Sequence, residues 1–424
     1  MVTSRYSERT LLLLLAAVQF THILDFMVMM PLGEQLMREL SIGPAAFSHL
    51  VAAYTISAGT IGFLTAPFMD RFDRRKVLLL AYAGFAVGTL ACALSRTAGM
   101  LLIARAICGG FGGVSGATIM AIVGDIVPPQ RRAAGMGVIM GAFAVAAAIG
   151  VPFGLFLAQK FIWQMPFYLV AGMGVLVWLM IYVTLPPVRT HLNDTPLHHL
   201  GEFLSLLRDS NAGRALIFYA AIVMGHFTII PLLAPFLVSN AGLPENKLFL
   251  VYMVGGICSA LTAPLCGKLA DRYGRLKVFA ILVVIATGVT LWIANSGPRP
   301  VWAILVAAGM FFTFASGRFV PGQAIISLAV PSKRRGAFMS LASCSRDLTS
   351  GITSSLGGWI VTKSATGQLV NYDKLGWIAV FMSAVSLWLA SRVRVNDVHH
   401  PAHPHVKPQP VADTAENETH MKRN

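Results

Sequence analysis

Long apolar runs set the rhythm of this chain. They lie near residues 10–32, 46–69, 77–95, 98–123, 133–158 and 162–185, then near 213–238, 247–270, 278–295, 301–328, 336–362 and 375–395. A helix of about 20 residues crosses a ~30 Å hydrocarbon layer, and these runs have that length. Lipid offers no water to unpaired backbone groups, so such runs are expected as helices. Strands of a membrane barrel need only about ten residues. The pattern predicts an all-α membrane protein with twelve transmembrane helices. The first run follows "SRYSER" but exceeds the apolar region of a signal peptide, and no small-x-small cleavage site closes it. It is read as an uncleaved span.

The runs fall into two sets. "MDRFDRRKVLLL", from Met69, is echoed by "ADRYGRLKVFAI", from Ala270. "VPPQRRAAGM", from Val127, is echoed by "VPSKRRGAFM", from Val330. Two markers at nearly one offset indicate a duplication of six spans. The expected division is a first bundle at 1–185, a linker at 186–212, a second bundle at 213–395 and a disordered tail at 396–424. The linker is polar and carries Pro186 and Pro187, and "LHHLGEFLSLLRD" within it reads as a short amphipathic surface helix. Two pseudo-symmetric six-helix bundles suit a machine that holds its substrate near the midplane and rocks around it.

Composition agrees. Only 12% of residues are charged, where soluble domains carry about 25%. The net charge of +15 comes from 33 Lys and Arg, clustered mostly in the loops that share a side with the N-terminus. This is the positive-inside pattern and predicts both termini cytoplasmic. It assigns the basic balance to orientation and to anionic lipid, not to nucleic acid. Cys92, Cys108, Cys258, Cys266 and Cys344 all fall within spans, which argues for packing and against a disulfide framework. "GGFGGVSG" at 109–116 sits mid-span with no strand before it, and no Gly-x4-Gly-Lys-Ser/Thr occurs, so ATP is not the expected motor. Gly109 with Gly113, or Gly112 with Gly116, instead gives the small-x3-small spacing that lets helices approach. His399, His400, His403 and His405 lack a fixed frame, and no metal site is expected.

Three motifs carry a resemblance. The loop pattern Gly-x3-Asp-Arg-x-Gly-Arg-x-Lys is complete in the second half as Gly267, Asp271, Arg272, Gly274, Arg275 and Lys277. The first copy keeps Asp70, Arg71, Arg74, Arg75 and Lys76, with Ala66 and Asp73 in place of the glycines. Span 4 holds Arg105 and Gly109 as Arg-x3-Gly, and span 5 holds "GVPFG" with Gly150, Pro152 and Gly154. Over residues 8–395 the chain resembles the major facilitator superfamily, within it the twelve-span drug/proton-antiporter group of drug and sugar efflux permeases. The resemblance implies the major facilitator fold and residence in a bacterial inner membrane. It also implies a gating role for the loop motif and a link between Arg105 and proton transfer.

Charges at the bilayer centre cost at least ~2.5–3.5 kcal/mol, so each needs a cavity or a partner. Gln19, His22 and Asp25–Phe26 in span 1 follow i, i+3, i+6/7 spacing and are expected on one helix face. Asp25 reads either as a coupling or substrate-cation site or as the partner of an arginine such as Arg105. His22 reads as a proton handler, a substrate contact or a wall hydrogen bond. Tyr219 and His226 share a face of span 7, with His226 a candidate substrate contact. Arg318 precedes Pro321 and Gly322, and either contacts substrate, forms a salt bridge or snorkels. Arg346 and Asp347 are adjacent, hence about 100° apart around the helix, and are expected to face different neighbours. The resulting expectation is a monomeric secondary transporter, not an enzyme, with no cofactor and the proton gradient as energy source. Its partners are the bilayer and a small organic solute such as a drug or sugar, exported by antiport. Uptake of a small metabolite by symport or facilitation is the alternative. A non-transporting sensor is more remote, because no added domain accompanies the charged midplane.

Overall fold

The computed structural model describes residues 7–69, 71–128, 131–189, 205–206, 208–331 and 334–395. Among the described residues, eleven helices are long and apolar enough to cross a membrane: Glu8–Val28, Pro44–Ala66, Arg74–Leu94, Ala98–Ile126, Ala134–Lys160, Met165–Thr184, Ser210–Ser239, Glu245–Tyr273, Arg275–Ala294, Val301–Ser327 and Tyr372–Ala390. The remaining expected run, the eleventh in order, is also helical, as Arg335–Ile360. Its Ser, Thr, Arg346 and Asp347 content removes it from the apolar set. We number the twelve as spans 1 to 12 in chain order. Residues 197–204 and 207 of the linker segment proposed as a surface helix lie outside the described residues, as does the whole His-containing tail at 396–424.

Polar caps start several spans. The Thr97 hydroxyl accepts from the Met100 N–H at the head of span 4. Asp209 accepts from Asn211 and Ala212 at the head of span 7. Such caps satisfy backbone donors that the first helical turn leaves free.

Four spans are interrupted, each near a proline. Span 1 stops at Val28, turns through Pro31 and continues as Gly33–Glu39. Span 7 repeats this: the helix ends at Phe227, a 3-10 turn Ile230–Leu232 contains Pro231, and Leu233–Ser239 resumes. Span 10 breaks at Arg318, between Val301–Gly317 and Phe319–Ser327. Pro321 explains that position, because its ring opposes the carbonyl four residues earlier, at Gly317. Span 5 widens into a π turn at Ala146–Gly150, just before Pro152. A missing donor and a widened turn have one origin there.

Small residues bring the spans together. A Cβ on Gly113 would lie 2.5 Å from the Ala58 carbonyl, and one on Gly109 would overlap the Tyr54 carbonyl. Of the two small-x3-small readings, Gly109 with Gly113 is therefore the pair pressed on span 2, while Gly116 faces open space. Two seams join the halves. Span 2 runs along span 11, with Gly59 against Leu348, Gly351 against Thr55 and Ile56, and Gly358 against Ser48. Span 8 meets span 5, where Gly256 abuts Ala147 in the π turn.

An even number of spans puts both ends of the bundle on one face, the near face. Among the described residues, polar bridges between the halves gather at the opposite, far face. Arg38 pairs with Glu245 at 2.9 Å, and Lys363 with Glu34 at 2.9 Å. Ser239 donates to Glu34 at 3.2 Å, and Gln159 donates to the Glu245 carbonyl at 2.7 Å. Lys363 sits on a small hairpin, Thr362–Lys363 paired antiparallel with Leu369–Val370. The Asn240 side chain grips both the N–H and the carbonyl of Leu369 at 2.9 Å, docking that hairpin on the end of span 7.

Candidate functional site

A sealed charge cluster occupies the first half. The Asp25 carboxylate lies 2.7 Å from the Arg105 guanidinium, and both side chains are 0% exposed. Arg105 also donates to the Asp25 backbone carbonyl at 3.3 Å. The Thr89 hydroxyl donates to the other Asp25 oxygen at 3.2 Å, and the Cys108 thiol stands 3.5 Å from Oδ2. The Tyr54 ring lies beneath the guanidinium at 4.5 Å. Spans 1, 2, 3 and 4 thus converge on one carboxylate. Arg105 Nε and Nη2 have no hydrogen-bond partner, so the arginine is electrostatically matched but not saturated.

Helix geometry separates the residues of span 1. At about 100° per residue, Asp25 and Phe26 point apart. Asp25 faces spans 3 and 4. His22 faces span 3, packed edge-on to Phe85 at 4.2 Å and Tyr82 at 5.5 Å, with Nε2 unpartnered. Phe26 faces the seam between the halves, 5.4 Å from Tyr54 and 6.2 Å from Phe227 of span 7. Gln19 is half-buried, and its Oε1 has no partner.

The second half is arranged differently. Arg346 Nε contacts the Asp347 carboxylate at 2.9 Å. This corrects the expectation that adjacent residues face different neighbours: the long arginine stem curls back across that angle. The pair is not sealed. In the middle of span 11, 42% of the Arg346 side chain remains accessible, whereas the Arg105 side chain is fully enclosed. Tyr219 of span 7 stands within hydrogen-bonding reach of Arg346. Tyr54, whose ring lies beneath Arg105, also comes within electrostatic reach of Asp347. Arg318 and His226 are elsewhere, buried among spans 7, 10 and 12. Arg318 donates to the Ser383 hydroxyl at 2.9 Å, and the His226 ring lies parallel to Phe311 at 5.7 Å.

The loop motif occupies the near face. Asp70 lies outside the described residues. Arg74 pairs with Asp125 at the end of span 4 at 2.6 Å and donates to the Ala121 carbonyl at 3.0 Å. Arg75 donates to the Tyr182 carbonyl at 2.6 Å, and Arg71 lies over Phe68 at 5.5 Å. Asp73 has a role the sequence did not suggest. It caps span 3 by accepting from the Arg75 N–H at 3.0 Å, and it also accepts from Val188 N–H and Arg189. In the second copy the same motif position, Gly274, adopts φ +93°, a conformation that favours glycine. Gly267, Asp271, Arg272 and Gly274 are exposed or lightly packed there, and Arg275 starts span 9. In span 5, Gly150 packs on Leu24 and Phe20, and Gly154 on Val28, so the kink motif is what seats span 5 against span 1. Among the described residues, no group of three or more His, Cys, Asp or Glu side chains is arranged to hold a metal.

Twelve helices in two bundles, broken near prolines and carrying charge at mid-depth, define a multi-pass membrane transporter. The family model described as Major Facilitator Superfamily matches residues 15–315 and 215–422, and the chain belongs to that superfamily. It is 23% identical over 345 residues to YceJ, an uncharacterized MFS-type transporter of Bacillus subtilis (strain 168), covering 81% of this chain and 87% of that one. It is 27% identical over 303 residues to the purine ribonucleoside efflux pump NepI of Shigella sonnei, covering 69% and 74%. Its fold matches the crystal structure of a mutant of the nucleoside transporter NupG with a TM-score of 0.70 at 15% identity, over 90% of this chain and 99% of that one. The protein is a secondary transporter, not an enzyme.

Proposed function

We propose that this transporter exports a small organic solute by antiport with protons, through alternating access, with Asp25 as the proton-carrying group. The sealed Asp25–Arg105 pair carries the reading. A fully buried ion pair is tolerated only while both partners are present. Protonation of Asp25 removes one charge and leaves Arg105 to seek another partner or water. That is a switch between two packings of spans 1 and 4, and Tyr54 extends it toward the accessible Arg346–Asp347 pair. The bodies that move are the halves at 1–185 and 213–395, tethered by 186–212. The basic loops put the near face in the cytoplasm, so bridges at the far face hold a state closed to the outside. The name of NepI supports export, and those of NepI and NupG extend the candidate solutes to nucleosides alongside drugs and sugars. No cofactor is needed beyond the proton gradient.

Uphill substrate flux in proteoliposomes under an imposed pH gradient tests this. Asp25→Asn is expected to lose gradient-driven flux and keep downhill exchange. That variant strands Arg105, a cost of about 3–5 kcal/mol, so Asp25→Asn with Arg105→Gln is the folding control and should behave alike. Pumping at wild-type rate by either variant would show that protons are coupled elsewhere.

A further inference from the structure

The ionised groups deep in the bundle do not balance. Asp25 matches Arg105, and Asp347 matches Arg346. Arg318 has no carboxylate partner among the described residues, yet it is 3% exposed. Ser383 takes one of its donors at 2.9 Å, while Nε has no partner. Beside it, His226 is 7% exposed with Nδ1 also unpartnered. A guanidinium offers five donors and no acceptor, and a buried unpaired cation is among the costliest groups a membrane protein can hold. Three spans converge on this cation. Span 10 presents Arg318 at its break, span 7 presents His226, and span 12 presents Ser383. Gly225 presents no side chain where a Cβ would stand 3.4 Å from Arg318 Nη2 and from the Ser383 hydroxyl. Phe311, Phe319 and Phe227 wall the imidazole.

We propose that Arg318, Ser383 and His226 form a binding site for one small monovalent anion. One missing negative charge sets the valence. The unpartnered Nε–H of Arg318, with the Ser383 hydroxyl, supplies the charge-assisted hydrogen bonds that a carboxylate or a halide accepts. The anion comes either from a carboxylate on the transported solute, an option that rests on the transport reading above, or from free chloride. The site is distinct from Asp25, since it lies wholly in the second half.

Thermal unfolding of the full chain in nanodiscs tests the assignment. Chloride, acetate and sulfate are titrated separately, with a bulky sulfonate buffer ion, which is neither carboxylate nor halide, holding ionic strength constant. The expected result is a saturable rise in Tm with chloride or with acetate, and a weaker response to sulfate. A chloride-only response assigns the free ion; a response to acetate assigns a carboxylate. The rise should vanish in Arg318→Gln, persist in Arg318→Lys, and need about tenfold more anion in Ser383→Ala, which removes a charge-assisted contact. No saturable response to any anion overturns the proposal, as does an equal response in Arg318→Gln. Should Arg318→Gln not fold, an unchanged titration in Ser383→Ala overturns it. Binding is read without transport, so loss of uphill flux and loss of the anion response are separate failures.

Discussion

Asp25 and Asp73 carry the same side chain to opposite tasks. Asp25 has one charged partner and is fully enclosed. Asp73 has one charged partner and a helix end, and its chemistry is open to titration. Burial raises the Asp73 carboxyl, but the Arg189 guanidinium and the Val188 and Arg75 N–H groups outweigh this and hold it below its ordinary value. A lowered carboxyl stabilises the fold above the unfolded value near pH ~4, and that contribution fades as pH falls through the lower folded value. Asp73→Ala should therefore cost about 1 kcal/mol at neutral pH, as loss of a helix cap does. Its unfolding curve should converge on wild type only in strong acid. Equal Tm values at pH 7 would remove Asp73 from the stabilising residues. At this scale the sequence was partly legible. The carboxylate and its arginine were visible as polar letters in apolar runs. Thr89, Cys108 and Tyr54 were not, because a hydroxyl, a thiol or a ring in a span looks like packing until a charge is found beside it.

Single elements were the most legible level, since length and apolarity alone define a span. The breaks at Pro31, Pro152, Pro231 and Pro321 follow from the missing donor. What periodicity could not supply was the far-face set, because Glu34 and Lys363, or Arg38 and Glu245, are distant in sequence and exposed in type. The short helix Gly33–Glu39 carries both Glu34 and Arg38, so one element latches two regions of the second half. A partly exposed ion pair contributes on the order of 0.2–1 kcal/mol. Breaking one should shift a two-state balance by up to about fivefold toward opening at that face. Glu34→Lys should raise labelling of a Phe26→Cys probe by an impermeant thiol reagent added from the far side. Adding Lys363→Glu should restore protection. Labelling that ignores both changes would mean the latch does not set the conformation.

For the whole molecule, internal repetition announced two bundles, and the markers around the loop motif were enough to see it. The seams between the bundles were hidden, since Gly59, Gly256, Gly351 and Gly358 acquire meaning only when another helix arrives. Span 11 shows what this implies for assembly in a living cell. Arg346 and Asp347 each cost at least ~2.5–3.5 kcal/mol at the centre of a lone helix, and Ser and Thr add more. Such a segment cannot leave the translocon for lipid unaided; it must be received by protein already in place. The receiving surface is span 2, with Gly59 as its notch, made early in synthesis. At about 5–20 residues per second, that surface waits on the order of 15–60 s for its partner to emerge. Transplanted into a reporter host, residues 335–360 should fail to insert where span 9 succeeds, and efficient insertion of the isolated segment would refute this. The first bundle is thus, during synthesis, the receiver for a helix made nearly 300 residues later.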